Sequence, residues 1–211
     1  MGGAICAALV GILCFAGFGL PGIFLLGAFF VLGNLATAWK INTKQALGSA
    51  ETAGGKRNAM QVFANGGVAA ITGAMVFFYT PYYATGFLMM AAGLSSATAD
   101  TLSSELGTLY GKRFYNITSF RKDIRGENGV VSLEGTLFGL LGSLLIAGIY
   151  SMADGWTIDF IIIVIAGTAG NILDSILGAT LERKGLVKND LVNFSNTVFA
   201  ALVAWWLSII F

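Results

Sequence analysis

All twelve Lys and Arg residues of this chain fall into three short stretches, 40–57, 112–125 and 183–188, and long apolar blocks fill the intervals between them. Basic residues stay on the cytoplasmic side of a bilayer during insertion, so three basic loops separated by pairs of spans orient every span at once. Composition points to lipid as the solvent. Hydrophobic residues make up 56% and charged residues 11%, against about 25% charged in an ordinary soluble domain. The expected architecture is all-α and polytopic: one transmembrane helical domain over residues 1–211, in the cell membrane if the source is prokaryotic.

A helix needs about 20 apolar residues to cross a bilayer, somewhat fewer where the bilayer thins. On that basis about seven spans are expected, at about 3–18, 23–39, 59–79, 83–106, 133–152, 156–181 and 191–211. The run Gly19-Leu20-Pro21-Gly22 divides the first apolar block, because proline and glycine disfavour a continuous helix there. No basic leader or cleavage site precedes that block, so it is expected to remain as a span. Seven crossings place the N-terminus in the cytoplasm and the C-terminus outside. Tyr79, Tyr82, Tyr83, Tyr150 and Trp156 gather at the outer turns, as an interfacial aromatic belt does. The 29 glycines suggest close helix crossings.

Polar residues within the spans concentrate at the cytoplasmic ends. An ionised side chain in hydrocarbon is costly and normally faces a cavity, a partner or a metal. The fourth span carries Asp100, Thr101, Ser103, Ser104 and Glu105, and the sixth carries Asn171, Asp174, Ser175 and Glu182. Helical spacing puts Asp100, Ser103 and Ser104 on one face, and likewise Asn171, Asp174 and Ser175. Asp100 and Glu105 lie about 140° apart around the helix, and Glu182 lies roughly 12 Å along the axis from Asp174, so neither pair need share one ion. Three other helix starts on the same face add polar groups: Gln61 and Asn65, Ser132 to Thr136 with Glu134, and Asn193 to Thr197 with Asn196. Exposed amides at helix starts attract phosphate. Together these features describe a cytoplasm-facing basin with carboxylates for a divalent metal and cations for phosphate.

Several chemistries are excluded. Histidine is absent, which rules out a Ser-His-Asp triad, and no Cys/His cluster offers a zinc site. Gly54-Gly55-Lys56-Arg57 lacks Walker spacing. Cys6 and Cys14 sit in the first apolar block and read as small packing residues. The basic residues are interleaved with carboxylates over three loops, which gives no nucleic-acid footprint.

Residues 61–68, the run Ala99-Asp100-Thr101-Leu102-Ser103-Ser104-Glu105-Leu106-Gly107, residues 129–136, and the run Asp174-Ser175-Ile176-Leu177-Gly178-Ala179-Thr180-Leu181-Glu182 resemble the motifs of the transmembrane protein 19 family, formerly domain of unknown function 92. Its plant members include a phytyl-phosphate kinase. The resemblance covers essentially the whole chain. It implies phosphoryl transfer from a nucleoside triphosphate, CTP or ATP, to an isoprenoid monophosphate (phytyl, geranylgeranyl or farnesyl) drawn from membrane lipid. It implies Mg2+ held by Asp100 and Asp174, with Glu105 as a third carboxylate. Asn65, Asn171 and Asn196, with Ser104, Ser175 and Glu134, would meet phosphate or ribose, and Lys56, Arg57, Lys112, Arg113 and Arg121 would supply phosphate cations. A homodimer is allowed. The segment 126–132 departs from the family pattern at Glu127, where Thr is usual, and at Val130, where Gly is usual; both changes work against a bare-backbone phosphate cradle. The rival readings are a cation-coupled transporter with two parallel Asp-bearing repeats, and cytidylyl transfer to a lipid phosphate.

Overall fold

The break in the first apolar block falls at Gly19. Its backbone (φ 62°, ψ −145°) lies in a region essentially reserved for glycine, and Pro21 follows it inside helix α1, Gly2–Ala38. The two arms of α1 run antiparallel, because Gly3 near one end and Gly33 near the other both lie against Arg57. Gly22 accordingly packs on the Cys14 carbonyl and the Phe18 side chain of the first arm. The computed structural model that shows this describes residues 2–47 and 57–211. Lys56 and the Gly54-Gly55 pair lie outside the described residues.

After α1 come a short helix α2, Ile41–Ala46, then α3, Ala59–Phe78, and α4, Tyr83–Tyr110, joined by a 3-10 turn at Thr80–Tyr82. A loop with two short strands, β1 (Tyr115–Asn116) and β2 (Val130–Val131), leads to α5, Leu133–Asp154. Helix α6, Asp159–Leu177, ends in a π-helical turn, Gly178–Glu182, and α7, Asn189–Ile210, follows. Among the described residues five helices are long and apolar enough to cross a membrane: α1, α3, α5, α6 with its π turn, and α7. Since α1 reverses, these make six crossings, and α4 is the seventh. The expected all-α membrane architecture of about seven spans is therefore present, with short α2 and the two-residue β1 and β2 added in the basic loops.

Helix α4 is more polar than a lipid-facing span because it is enclosed. It touches α1, α3, α5, α6 and α7, and Ser95, Ser96 and Thr98 on it are wholly buried. Phe87 near its outer end stacks on Phe18 and Tyr150, with ring centroids 5.4 and 4.9 Å away. The long runs of exposed Leu, Ile and Phe lie on the surrounding helices, as a lipid-facing ring requires. Tyr79, Tyr82, Tyr83 and Trp156 are partly to largely exposed around the outer turns, whereas Tyr150 is buried and donates to Asp154 at 3.0 Å. Its phenol thus bonds within the bundle rather than joining the aromatic belt.

Helices α4 and α6 run in the same direction, and small residues bring them together. Gly167 and Gly170 face Ser95 and Ser96, and a Cβ at either glycine would collide with the opposing serine side chain. Counting four residues onward from the Ser96 and Gly170 contact reaches Asp100 on one helix and Asp174 on the other, one helical turn deeper toward the basic side.

Gly19→Ala is expected to lower stability by about 1–3 kcal/mol, since alanine tolerates that backbone poorly. Gly11→Ala, in regular helix with open space beyond its Cα, is expected to be neutral or slightly stabilising. Thermal melts of the two variants in detergent check the contrast.

Candidate functional site

The carboxyl groups of Asp100 and Asp174 lie within hydrogen-bonding reach of each other. Asn196, wholly buried on α7, fixes one of them: its Nδ2 donates to Asp174 Oδ1 at 2.6 Å, while its Oδ1 accepts from Ser96 Oγ at 3.0 Å. On the other side Asn171 Oδ1 accepts from Ser103 Oγ at 3.1 Å. Three helices are thus cross-linked around the aspartates by amide and hydroxyl groups. No Lys or Arg among the described residues is within ion-pair distance of either aspartate.

The pair opens into a cavity of about 300 Å³ on the basic side of the bundle. Its acidic lining residues are Asp100, Glu105, Glu127, Asp174 and Glu182, and no described Lys or Arg lines it. Ser103, Ser104, Asn171 and Ser175 line it as their spacing predicts. The starts of α5 (Ser132, Gly135, Thr136) and α7 (Asn189, Asn193) complete the wall. Ser132 caps α5, its Oγ accepting from the Gly135 amide at 3.1 Å.

The 126–132 loop forms the roof. Gly129 (φ 74°) packs against the backbone and Cβ of Ala179, where any side chain would collide. Asn128 and Glu182 on the π turn both line the pocket, and one-turn π segments often occur at functional sites. Val130 belongs to β2 and pairs with Asn116 in β1, a strand setting that suits a β-branched residue and removes the objection raised by its replacement of glycine. Glu127 Oε2 lies 3.7 Å from Arg183 Nη2, so its charge is offset by Arg183. Arg183 also binds Asp123 at 2.6 Å and holds that carboxyl below the usual range for aspartate.

Several expected site residues are otherwise engaged or lie elsewhere. Glu105 is engaged by Lys44, which α2 carries into the bundle: Nζ reaches Glu105 Oε2 at 2.5 Å and the Ala36 and Thr37 carbonyls at 2.9 and 2.7 Å. A carboxylate so neutralised is a poor third metal ligand. Asn196 has both ends of its amide occupied within the bundle, so it positions Asp174 and does not line the cavity. Asn65 and Arg57 border a different cavity between α1 and α3. Glu134, in the first turn of α5, accepts from the Lys112 amide at 3.3 Å outside the pocket. Lys112, Arg113 and Arg121 are exposed loop residues that do not line it. The described basic residues do not form a cation-lined basin: they sit outside the wall, several of them on carboxylates or aromatic rings. Thr168, Asn128 and Asn189 line the pocket without having stood out in sequence. For Thr168 the available signal was its i, i+3 spacing to Asn171.

Among the described residues no group of three acidic, Cys or His side chains is arranged to hold a metal alone. Mg2+, however, is usually held by one or two carboxylates together with substrate phosphates. Two facing carboxylates with no cationic partner among the described residues, opening into a polar pocket, fit that donor set.

The sequence profile of the integral membrane protein family DUF92 matches residues 1–201. The chain is 32% identical over 212 residues to Protein VTE6, chloroplastic, of Arabidopsis thaliana, covering 96% of this chain and 63% of that protein. It is also 32% identical to an uncharacterized membrane protein of Methanocaldococcus jannaschii, covering 95% of this chain and 82% of that one. A third relative, an uncharacterized membrane protein of Synechocystis, is 32% identical with 93% and 77% covered. The chain thus spans less than two thirds of the length of the Arabidopsis protein. No solved structure matches it at a significant level.

Asn196→Ala is expected to destabilise the protein by about 1–3 kcal/mol, by leaving buried polar groups unpaired. Ser195→Ala, whose hydroxyl bonds only the Leu191 carbonyl one turn back, should stay within about 0.5 kcal/mol. Denaturation of both variants in detergent measures the difference. Since the native Asp123 carboxyl titrates below its unfolded counterpart, its link to Arg183 is fully present above about pH 4 and fades as pH falls below that. Limited proteolysis of the 112–128 segment should rise only in that acid range, and Asp123→Asn should raise it already at neutral pH.

Proposed function

This chain belongs to the DUF92 family of integral membrane proteins, and on that premise we propose that it is a phosphotransferase. It converts an isoprenoid monophosphate (phytyl, geranylgeranyl or farnesyl) to the diphosphate at the cytoplasmic membrane face, with CTP or ATP as donor. The observation that carries this reading is the Asp100 and Asp174 pair, which has no described cationic partner and opens into an acidic pocket on the basic side of the bundle. A pocket lined by carboxylates repels phosphate, so phosphate-bearing ligands enter it as complexes of a divalent cation. Asp100 and Asp174 would hold Mg2+, which supplies the charge neutralisation that phosphoryl transfer between two anions requires.

The chain's own residues do the rest. Asn196 orients Asp174, and Ser103 orients Asn171. The starts of α5 and α7 turn positive dipole ends toward the phosphates. The roof segment closes over the π turn and limits water. A non-bridging oxygen of the lipid phosphate attacks the γ-phosphorus, that oxygen–phosphorus bond forms, and the bond to the β–γ bridging oxygen breaks with release of the nucleoside diphosphate. The attacking dianion needs no general base, which agrees with a chain that has no histidine. VTE6, whose name places it in the chloroplast, is the relative whose family resemblance motivates an isoprenoid acceptor.

One observation favours a second reading, cation-coupled transport. Ser143 and Ser151, toward the outer half of α5, have buried hydroxyls without a partner among the described residues, and a polar track beyond the aspartates would use them. Nucleotide-independent cation flux in proteoliposomes would support that reading and oppose the kinase.

Purified protein incubated with Mg2+, labelled CTP or ATP and geranylgeranyl monophosphate is expected to yield the diphosphate and a nucleoside diphosphate. Release of pyrophosphate would mean cytidylyl transfer instead. Asp174→Asn, folded, is expected to lose at least about 100-fold in turnover, the scale seen when a transition-state electrostatic contact is removed. CTP is expected to raise the melting temperature with Mg2+ and not with EDTA.

A further inference from the structure

The wall of the acidic pocket reaches the lipid-facing surface of the bundle on two neighbouring helices. On α6 it follows one side of the helix from Glu182 through Gly178 and Ser175 to Ile172. Ile172 is also part of the exposed apolar stripe Ile161, Ile165, Ile172 and Ile176, whose spacing of four, seven and four residues keeps one helical face. Such a stripe on a peripheral span faces lipid, so Ile172, 44% exposed, borders the pocket and the bilayer together. On α5 the corresponding residue is Thr136. It lines the pocket and is exposed, one turn after the exposed Leu133. Its hydroxyl donates to the Ser132 carbonyl at 3.0 Å, so it can meet hydrocarbon without an unpaired donor. Helices α5 and α6 pack on each other, and the pocket therefore opens sideways between them.

The depth of the opening limits what can use it. Ile172 stands ten residues before Glu182, roughly 15 Å at the helical rise, or about half of a hydrocarbon core some 30 Å thick. Farther out the seam is shut, since a Cβ on Gly167 would lie 2.8 Å from the Ser143 hydroxyl. The opening is thus confined to the leaflet on the basic side. A ligand drawn from water alone would need no gap onto lipid. An amphiphile would, because its polar head belongs among the pocket's polar groups while its chain stays out of water.

We infer that a single-chain lipid phosphate enters the pocket through the α5–α6 seam, with its hydrocarbon chain lying between Thr136 and Ile172 in the leaflet. The choice of an isoprenoid monophosphate as that lipid rests on the function proposed above. The seam rests on its own geometry. Head and chain are then held in one continuous site, with the phosphate beside Asp100 and Asp174, and the nucleotide comes by the basic side.

Photolabelling of the full chain in phosphatidylcholine vesicles with Mg2+, by a farnesyl monophosphate analogue carrying a diazirine on its second isoprene unit, tests the seam. Label is expected on residues 133–140 of α5 and 168–176 of α6, displaced by unmodified farnesyl monophosphate and not by farnesol. Ile172→Trp is expected to cut both that label and diphosphate formation at least about tenfold, while CTP with Mg2+ still raises its melting temperature as in wild type. Ile165→Trp, on the same stripe but off the pocket, is expected to match wild type in all three. Thr136→Trp serves if Ile172→Trp does not retain the wild-type melting temperature. Displaceable label confined to other helices would overturn the inference. So would label that the competitor leaves unchanged, which would mean that ordinary bilayer lipid fills the seam. If wild type makes the diphosphate and a folded seam-filling variant makes it as fast, the seam fails and the reaction remains. If displaceable label falls on α5 and α6 while no diphosphate forms with CTP or ATP, the reaction fails and the seam remains.

Discussion

Two aspartates are carried into the interior of a membrane bundle and set against each other with no described Lys or Arg beside them. Each would cost about 2.5–3.5 kcal/mol at the centre of a lone inserted helix even on lenient scales, and their mutual repulsion adds to that. Such a pair persists only where packing forces it and where polar partners or a bound cation offset the charge. Here the forcing element is the contact of Gly167 and Gly170 with Ser95 and Ser96, which lets α4 and α6 approach closely enough to align Asp100 with Asp174 one turn on. A polar partner is the Asn196 amide of α7, which donates to Asp174. The fold around the site follows from enclosing α4, a long helix too polar to face lipid.

Charge is managed differently a few ångströms away. Lys44 enters the bundle from α2, is almost wholly buried, and meets Glu105 and two carbonyls of α1. That ion pair ties the first basic loop to α4 and takes Glu105 out of competition for a cation. Arg183 does the same for Asp123 and Glu127 at the roof. Glu105, Asp123 and Glu127 are thus neutralised and hold loops in place, whereas Asp100 and Asp174 at the pocket floor have no described cationic partner. A divalent ion entering with phosphate would find its strongest ligands at that pair.

The pattern of basic loops and apolar blocks made the seven crossings legible, and Pro21 among glycines marked the reversal that Gly19 executes. The meeting of Asp100 with Asp174 was anticipated from their similar settings near the inner ends of two spans running the same way. The location of the cations was not. A sequence records that Lys44, Arg57 and Arg183 are basic, and it does not record which face of a loop each one turns toward. Lys44 could be read as a topology marker until α2 was seen to insert it. Asn196 was expected to touch ligand because it is polar near a helix start; the packing of α7 against α4 and α6 instead gave both ends of its amide internal partners. Asn65 went to the other cavity because α3 packs on α1. Val130 and Glu127 looked unsuited to a phosphate cradle until the pairing of β2 with β1 and the nearby Arg183 gave each a structural place.

The proposed chemistry depends on Asp100 and Asp174 acting as one divalent-cation site although they stand on different helices. Electron paramagnetic resonance of Mn2+ titrated into the purified protein, with a non-hydrolysable nucleotide present, tests this most directly. One bound ion with phosphorus couplings is expected, lost when either aspartate alone is replaced by asparagine. An ion that stays bound in one of those two variants, or whose spectrum is indifferent to both, would contradict it.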